Sequence, residues 1–124
     1  MGPVGLPVEI FPTSGSTTSL SANNLGLMAT NQLPNAFGVF YFGPSQSSTP
    51  FGEGVLCVGN PFSRLPIAQA NATGIAQLDL DLTSLAPGVP PVQVGDTLNF
   101  SFWFRQASPS GFNFSDALEI QFCD

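Results

Sequence analysis

Histidine and lysine are absent from this chain, and Arg64 and Arg105 are its two cations. Without imidazole or amine groups, histidine-based acid–base chemistry and a phosphate-binding lysine are excluded. A net charge of −6 excludes a basic nucleic-acid footprint. Charged residues of either sign make up 8 % of the chain, against about 25 % in an average soluble domain. Because 43 % of the residues are apolar, this scarcity of charge does not signal disorder, which pairs low hydrophobicity with high charge. Two cysteines, Cys57 and Cys123, are too few for a thiolate zinc cage. Gly, Pro, Ser or Asn interrupts every apolar stretch before the roughly 18 residues that a membrane-spanning helix needs. The opening MGPVGLPVEIFP has neither the basic start nor the leucine-rich core of a secretory signal. Any signal has therefore been removed or never belonged to this chain, and Met1-Gly2 reads as an expression start.

What remains is a chain of 124 residues, enough for one domain that takes roughly two-thirds of its surface out of water on folding. Its apolar residues alternate or cluster in short runs bounded by turn-forming residues, and helical periodicity is missing. In residues 97–105, Leu98, Phe100, Phe102 and Phe104 share one face while Asn99, Ser101, Trp103 and Arg105 share the other. Residues 117–123 put Leu118, Ile120 and Phe122 inward, and residues 75–82 do the same with Ala76, Leu78, Leu80 and Leu82. Further strands are expected at 6–11, 17–22 (Thr18, Leu20 and Ala22 inward), 36–43, 54–58 and 64–70. Pro66 must then occupy an edge or a bulge, since it cannot donate to a ladder. Ser45 to Pro50 reads as a surface loop, and Thr83 to Ala86 as one turn. The expected fold is all-β, an antiparallel β-sandwich of jelly-roll or immunoglobulin-like type with about eight short strands. Residues 1–16 form an N-terminal arm and linker, and 17–124 the sandwich domain. The arm carries the strand-like Val8-Glu9-Ile10-Phe11 and is expected to pair with its own domain, with strand addition to a neighbour as the extension.

Strand parity turns Cys57 and Cys123 outward, and two such cysteines on paired strands can bridge; free thiols are the competing reading. A bridge implies an oxidising compartment. Among the eight acids, Asp79 and Asp81 lie two apart on one strand face, the spacing of two calcium ligands, although no further ligand run surrounds them and a solvated face also accounts for them. Asp96 and Asp116 read as turn-shaping residues. Asn99, Ser101, Trp103 and Arg105 form a candidate binding face, a sugar-stacking platform or a partner hot spot, unless a second layer buries it. No serine has a base to activate it, so no catalytic residue and no cofactor are expected. Asn71, Asn99 and Asn113 head Asn-x-Ser/Thr sequons, of which Asn99 lies mid-strand.

Phe37-Gly38-Val39-Phe40-Tyr41-Phe42-Gly43, then Pro50 to Gly59 with Arg64-Leu65, together resemble a β-domain found at the C-terminal end of large secreted proteins of planctomycetes and related bacteria. Leu78-Asp79-Leu80, Gly95 to Arg105 and Asn113 to Leu118 resemble the closing strands of that family. The similarity spans about Leu20 to Cys123. This chain departs from it at Leu98, Phe104 and Gln106, where the family often has Trp, Tyr and Asp. The resemblance implies an extracellular or cell-surface location and carries no catalytic residues. It points to a non-catalytic structural or interaction module of a bacterial cell surface or extracellular assembly, with protein partners or self-association. The alternative is a carbohydrate-binding module that takes a glycan on Trp103.

Overall fold

The structure, a computed structural model, describes residues 8–32, 34–51, 54–58, 63–86, 88–105 and 112–124, and their side chains except at 46–51, 54–57, 105, 112 and 113. It is all-β, with no helix among the described residues. The strands are β1 (Ile10–Pro12), β2 (Gly26–Ala29), β3 (Phe37–Gly43), β4 (Gln46–Phe51), β5 (Gly54–Val58), β6 (Ser63–Gln69), β7 (Ala76–Asp79), β8 (Thr97–Arg105), β9 (Phe112–Phe114) and β10 (Leu118–Gln121). They form a three-stranded sheet β1-β2-β7, a five-stranded sheet β10-β8-β3-β6 with β9 also on β8, and a hairpin β4-β5. Every strand pair is antiparallel.

One hydrophobic cluster joins the first two sheets. Phe40 and Phe42 of β3 and Phe100, Phe102 and Phe104 of β8 meet Ile10, Leu27 and Ala29 of β1 and β2, with Ala76 of β7 and Ile120 of β10 completing it. The Phe40 and Phe102 ring centroids are 4.5 Å apart, and Phe102 stacks with Phe104 at 6.4 Å. Offset and tilted contacts of this kind add to what area burial supplies. Gly38, directly across from Phe104 in the register, is required by this packing. A Cβ there would fall into the Phe102 ring and 2.7 Å from the Trp103 carbonyl.

Pro66 sits where its chemistry demands, at a bulge on an edge strand. Val39 pairs with Ile67 and Tyr41 with Arg64, so Leu65 and Pro66 together oppose Phe40. The ladder loses nothing by the missing N–H, because the register shift falls there. The bulge also resets the alternation: Leu65 and Ala68 are buried while Pro66 and Ile67 between them are exposed. A second one-residue slip separates β9 from β10. Trp103 pairs with Phe114 but Phe100 pairs with Leu118, leaving Ser115, Asp116 and Ala117 opposite Ser101 and Phe102. Ser115 repairs the ladder by accepting the Phe102 N–H on its hydroxyl at 2.9 Å.

Two expectations are corrected. The strand expected at 17–22 is a series of turns with a single parallel bridge, Ser19 to Cys123, and Thr18 and Ala22 are exposed. The strand forms a few residues on, at Gly26–Ala29, where Leu27 and Ala29 are buried together with Leu25 just before it. Ser45 to Pro50 is not a loop throughout, since Gln46 to Phe51 is β4. The arm, by contrast, pairs with its own domain as expected. Its residues 1–7 lie outside the described part, but Val8 and Ile10 belong to the core cluster, and β1 pairs with β2 through Ile10–Ala29, Phe11–Met28 and Pro12–Leu27.

Candidate functional site

The second face of β8 is where the sequence places Asn99, Ser101, Trp103 and Arg105. Only part of it reaches solvent. Asn99 is 1 % exposed and Ser101 fully buried, and Trp103 is half-buried. The Arg105 side chain lies outside the described residues. Asn99 stands between Gly43 of β3 and Glu119 of β10, and its side-chain oxygen has no hydrogen-bond partner among the described residues. Ser101 donates to the Ser115 carbonyl at 3.2 Å, and the Ser115 hydroxyl donates to the Asp116 carbonyl at 2.7 Å. The hairpin β4-β5 lies against β8 and β9 on the strength of its β5 strand, and Val58 at its end is fully buried. With Asn99 and Ser101 buried, the half of the candidate face nearest β10 is interior, the outcome that the sequence leaves open beside a binding platform. Alternation alone cannot separate a sheet covered on both faces from one covered on a single face.

The other half remains outside. Across β6, β3, β8 and β9 the register aligns Ile67, Val39, Trp103 and Phe114 in one row on one sheet face. Phe37 lies two residues from Val39 on that same face. Ile67 is 71 % and Phe37 57 % exposed, while Val39, Trp103 and Phe114 are half-buried. Tyr41, also on this face, meets Phe114 edge-on at 5.9 Å. The sequence reading missed Phe37 and Ile67, because 64–70 reads as an ordinary alternating strand until the bulge turns Ile67 out.

The acids divide by local geometry. Asp81 accepts three hydrogen bonds on Oδ1, from the Thr83 hydroxyl at 2.6 Å, the Thr83 N–H at 3.0 Å and the Asn23 amide at 3.2 Å. The Thr83 side-chain bond chiefly, then its N–H and Asn23, holds the Asp81 carboxyl below its ordinary value of 3.8. Because the folded chain favours the ionised form, this turn keeps its full strength above that value and weakens as the pH falls below it. Asn23, at φ +46°, returns the contact by accepting the Leu82 N–H. Asp79 is exposed beside it. No group of three metal-ligating side chains occurs among the described residues. Asp96 shapes its turn by accepting the Gln93 N–H at 2.9 Å. Asp116 reaches across to accept the Ile10 N–H at 3.0 Å, tying β1 to the β9–β10 bulge.

Cys123 faces outward as its parity predicts, yet it is a free cysteine, 3.4 Å from the Thr18 hydroxyl. The expected Cys57–Cys123 bridge is not formed. Cys57 lies on β5, whose partner is β4, whereas the backbone of Cys123 bonds to Thr18 and Leu20, so the two cysteines are not on paired strands. Maleimide treatment of the native protein is accordingly expected to label Cys123 without denaturant. Labelling that appears only after unfolding and reduction would contradict the free thiol.

The candidate face thus has a buried polar half, Asn99 and Ser101, beside a row of apolar side chains of which Phe37 and Ile67 are exposed. Comparison with known proteins found no matching family, no matching curated protein and no matching solved structure.

Proposed function

We propose that this chain is a β-sandwich module that works by binding protein, without catalysis, at a bacterial cell surface or in an extracellular assembly. The observation that carries the reading is the exposed apolar row, with Ile67 and Phe37 in solvent on one sheet face. Large side chains grouped on the surface mark interaction sites, whereas single exposed ones need no explanation. The two-layer core of phenylalanines supplies a rigid platform for that row. The serine hydroxyls nearest it, Ser101 and Ser115, are spent on backbone groups, which speaks against their use as nucleophiles. The surface location rests on the family resemblance. A sugar-binding platform needs polar groups beside its aromatic rings, and with Asn99 and Ser101 buried the protein-binding reading is preferred.

The test is a sedimentation series over rising concentration, alongside a glycan panel. The wild-type chain is expected to associate through the row, and Ile67→Lys to remove that association. Thermal stability should stay nearly unchanged, since surface substitutions usually cost within about 0.5 kcal/mol. A wild type that remains monomeric but binds glycans, with the signal lost in Trp103→Ala, would overturn the proposal in favour of the carbohydrate-binding alternative.

A further inference from the structure

β6 is the last strand of the five-stranded sheet, and β7 the last of the three-stranded one. They are joined by a tight connection in which Asn71 accepts from Thr73 and Ile75. The two edges then run side by side, with no strand pairing between them among the described residues, and between them lies a groove of about 170 Å³. Leu65, Leu78, Leu80 and Leu85 line it, and Asp79 and Asp81 stand on it. Asp79 ends β7, and Asp81 follows two residues on in the turn that it forms with Thr83. Asp81 takes its three bonds on Oδ1, which leaves Oδ2 to a ligand.

The open edge of β6 is competent to pair. Ala70 donates to the Ala36 carbonyl, so alternate residues, Ala68 among them, turn their backbone groups to β3. Ile67 and Gln69 then direct theirs to the open side. Pro66 does not block that side, because its missing N–H is absorbed by the bulge facing β3. Proline and a bulge are usual defences of an edge; here both are directed at the inner ladder.

We propose that this edge and groove bind an extended segment of another protein that carries a lysine or arginine. This rests on the reading of the chain as a protein-binding module, at an edge and groove that meet the apolar row at Ile67. Strand addition supplies main-chain hydrogen bonds, and a pocket for alternate side chains supplies selectivity. A long cationic side chain suits the groove, its methylenes on the leucines and its charge at Asp79 and Asp81. Charge complementarity argues against a second copy as the occupant. The chain has no lysine, carries a net charge of −6, and has one of its two arginines, Arg64, next to groove-lining Leu65.

Amide-resolved NMR titration with the acetylated, amidated heptapeptide Thr-Val-Thr-Lys-Thr-Val-Thr tests this, with norleucine and glutamate versions in place of the lysine. The lysine peptide is expected to shift the amides of Leu65, Ile67, Gln69 and Leu78 to Asp81. Its affinity should exceed that of the norleucine peptide at least about fivefold and fall with salt, as exposed charge contacts do. Asp79→Asn with Asp81→Asn should abolish that advantage while leaving norleucine binding as it was, because an amide oxygen in place of the Asp81 carboxylate still accepts the turn bonds. Equal binding of lysine and norleucine peptides, shifts elsewhere, or no shift at millimolar peptide would overturn the proposal. The wild-type comparison decides it even if the double variant does not fold. Shifts confined to Phe37, Val39 and Trp103 would leave the apolar row standing and remove the groove.

Discussion

Phe102→Ala is expected to cost about 3–5 kcal/mol, a large part of the about 5–15 kcal/mol that holds an ordinary domain folded. Phe102 is fully buried at the centre of β8, tilted against Phe40 and stacked on Phe104. Its neighbours are fixed on strands, so they cannot close over the void, and the cavity adds to the lost transfer energy. Urea denaturation should show a lower midpoint at unchanged slope. The same ring makes a second result predictable. Gly38→Ala places a methyl group in the Phe102 ring and is expected to cost about 1–3 kcal/mol in the wild type, as overpacking does. In the Phe102→Ala background that cost should largely vanish, giving a coupling energy of about 0.5–3 kcal/mol. Strict additivity of the two substitutions would mean that Gly38 is constrained by the Trp103 carbonyl rather than by the ring.

That pair also marks the line between what was legible in the residues and what was not. The strand 97–105 and its buried phenylalanine face follow from alternation alone, as do the inward Ile120 and Phe122 and the exposed Gln77, Asp79 and Asp81. Proline chemistry placed Pro66 at an edge or bulge, and it occupies both. The elements missed are those whose strand state comes from a partner. Gln46 to Phe51 has no apolar pattern and is a strand because it pairs with β5. Phe112 to Phe114 is three residues long and exists against Trp103 to Arg105. For the candidate site, the sequence grouped Asn99, Ser101 and Trp103 on one face but could not say which of them are buried. It also could not foresee that the bulge at Leu65 and Pro66 brings Ile67 into line with Val39 and Trp103, since a bulge is set by how two strands meet.

Removal of residues 1–12 is expected to destabilise the protein by about 3–6 kcal/mol through Val8 and Ile10 alone, taking about 1.5–3 kcal/mol for each fully buried aliphatic side chain. Both are in the core, 5 % and 3 % exposed. The deletion also removes the Ile10 N–H that Asp116 accepts, a bond to a charged group. Asp116 is exposed and can return to water, so the main loss is apolar burial rather than a stranded charge. What is left behind matters as much: β2 becomes an edge, with the Thr30 N–H that had bonded to the Glu9 carbonyl now unpaired. The truncated chain should therefore melt far lower than the full chain and associate through β2 at high concentration. A synthetic peptide of residues 3–13 should restore the melting temperature by mass action, in proportion to its excess over its dissociation constant. Ile10→Ala separates the two contributions, because it keeps the backbone pairing and forfeits about 2–5 kcal/mol of packing. An unchanged melting temperature on truncation, with Ile10→Ala equally silent, would mean that β1 is a loosely held leader and that the core is complete without it.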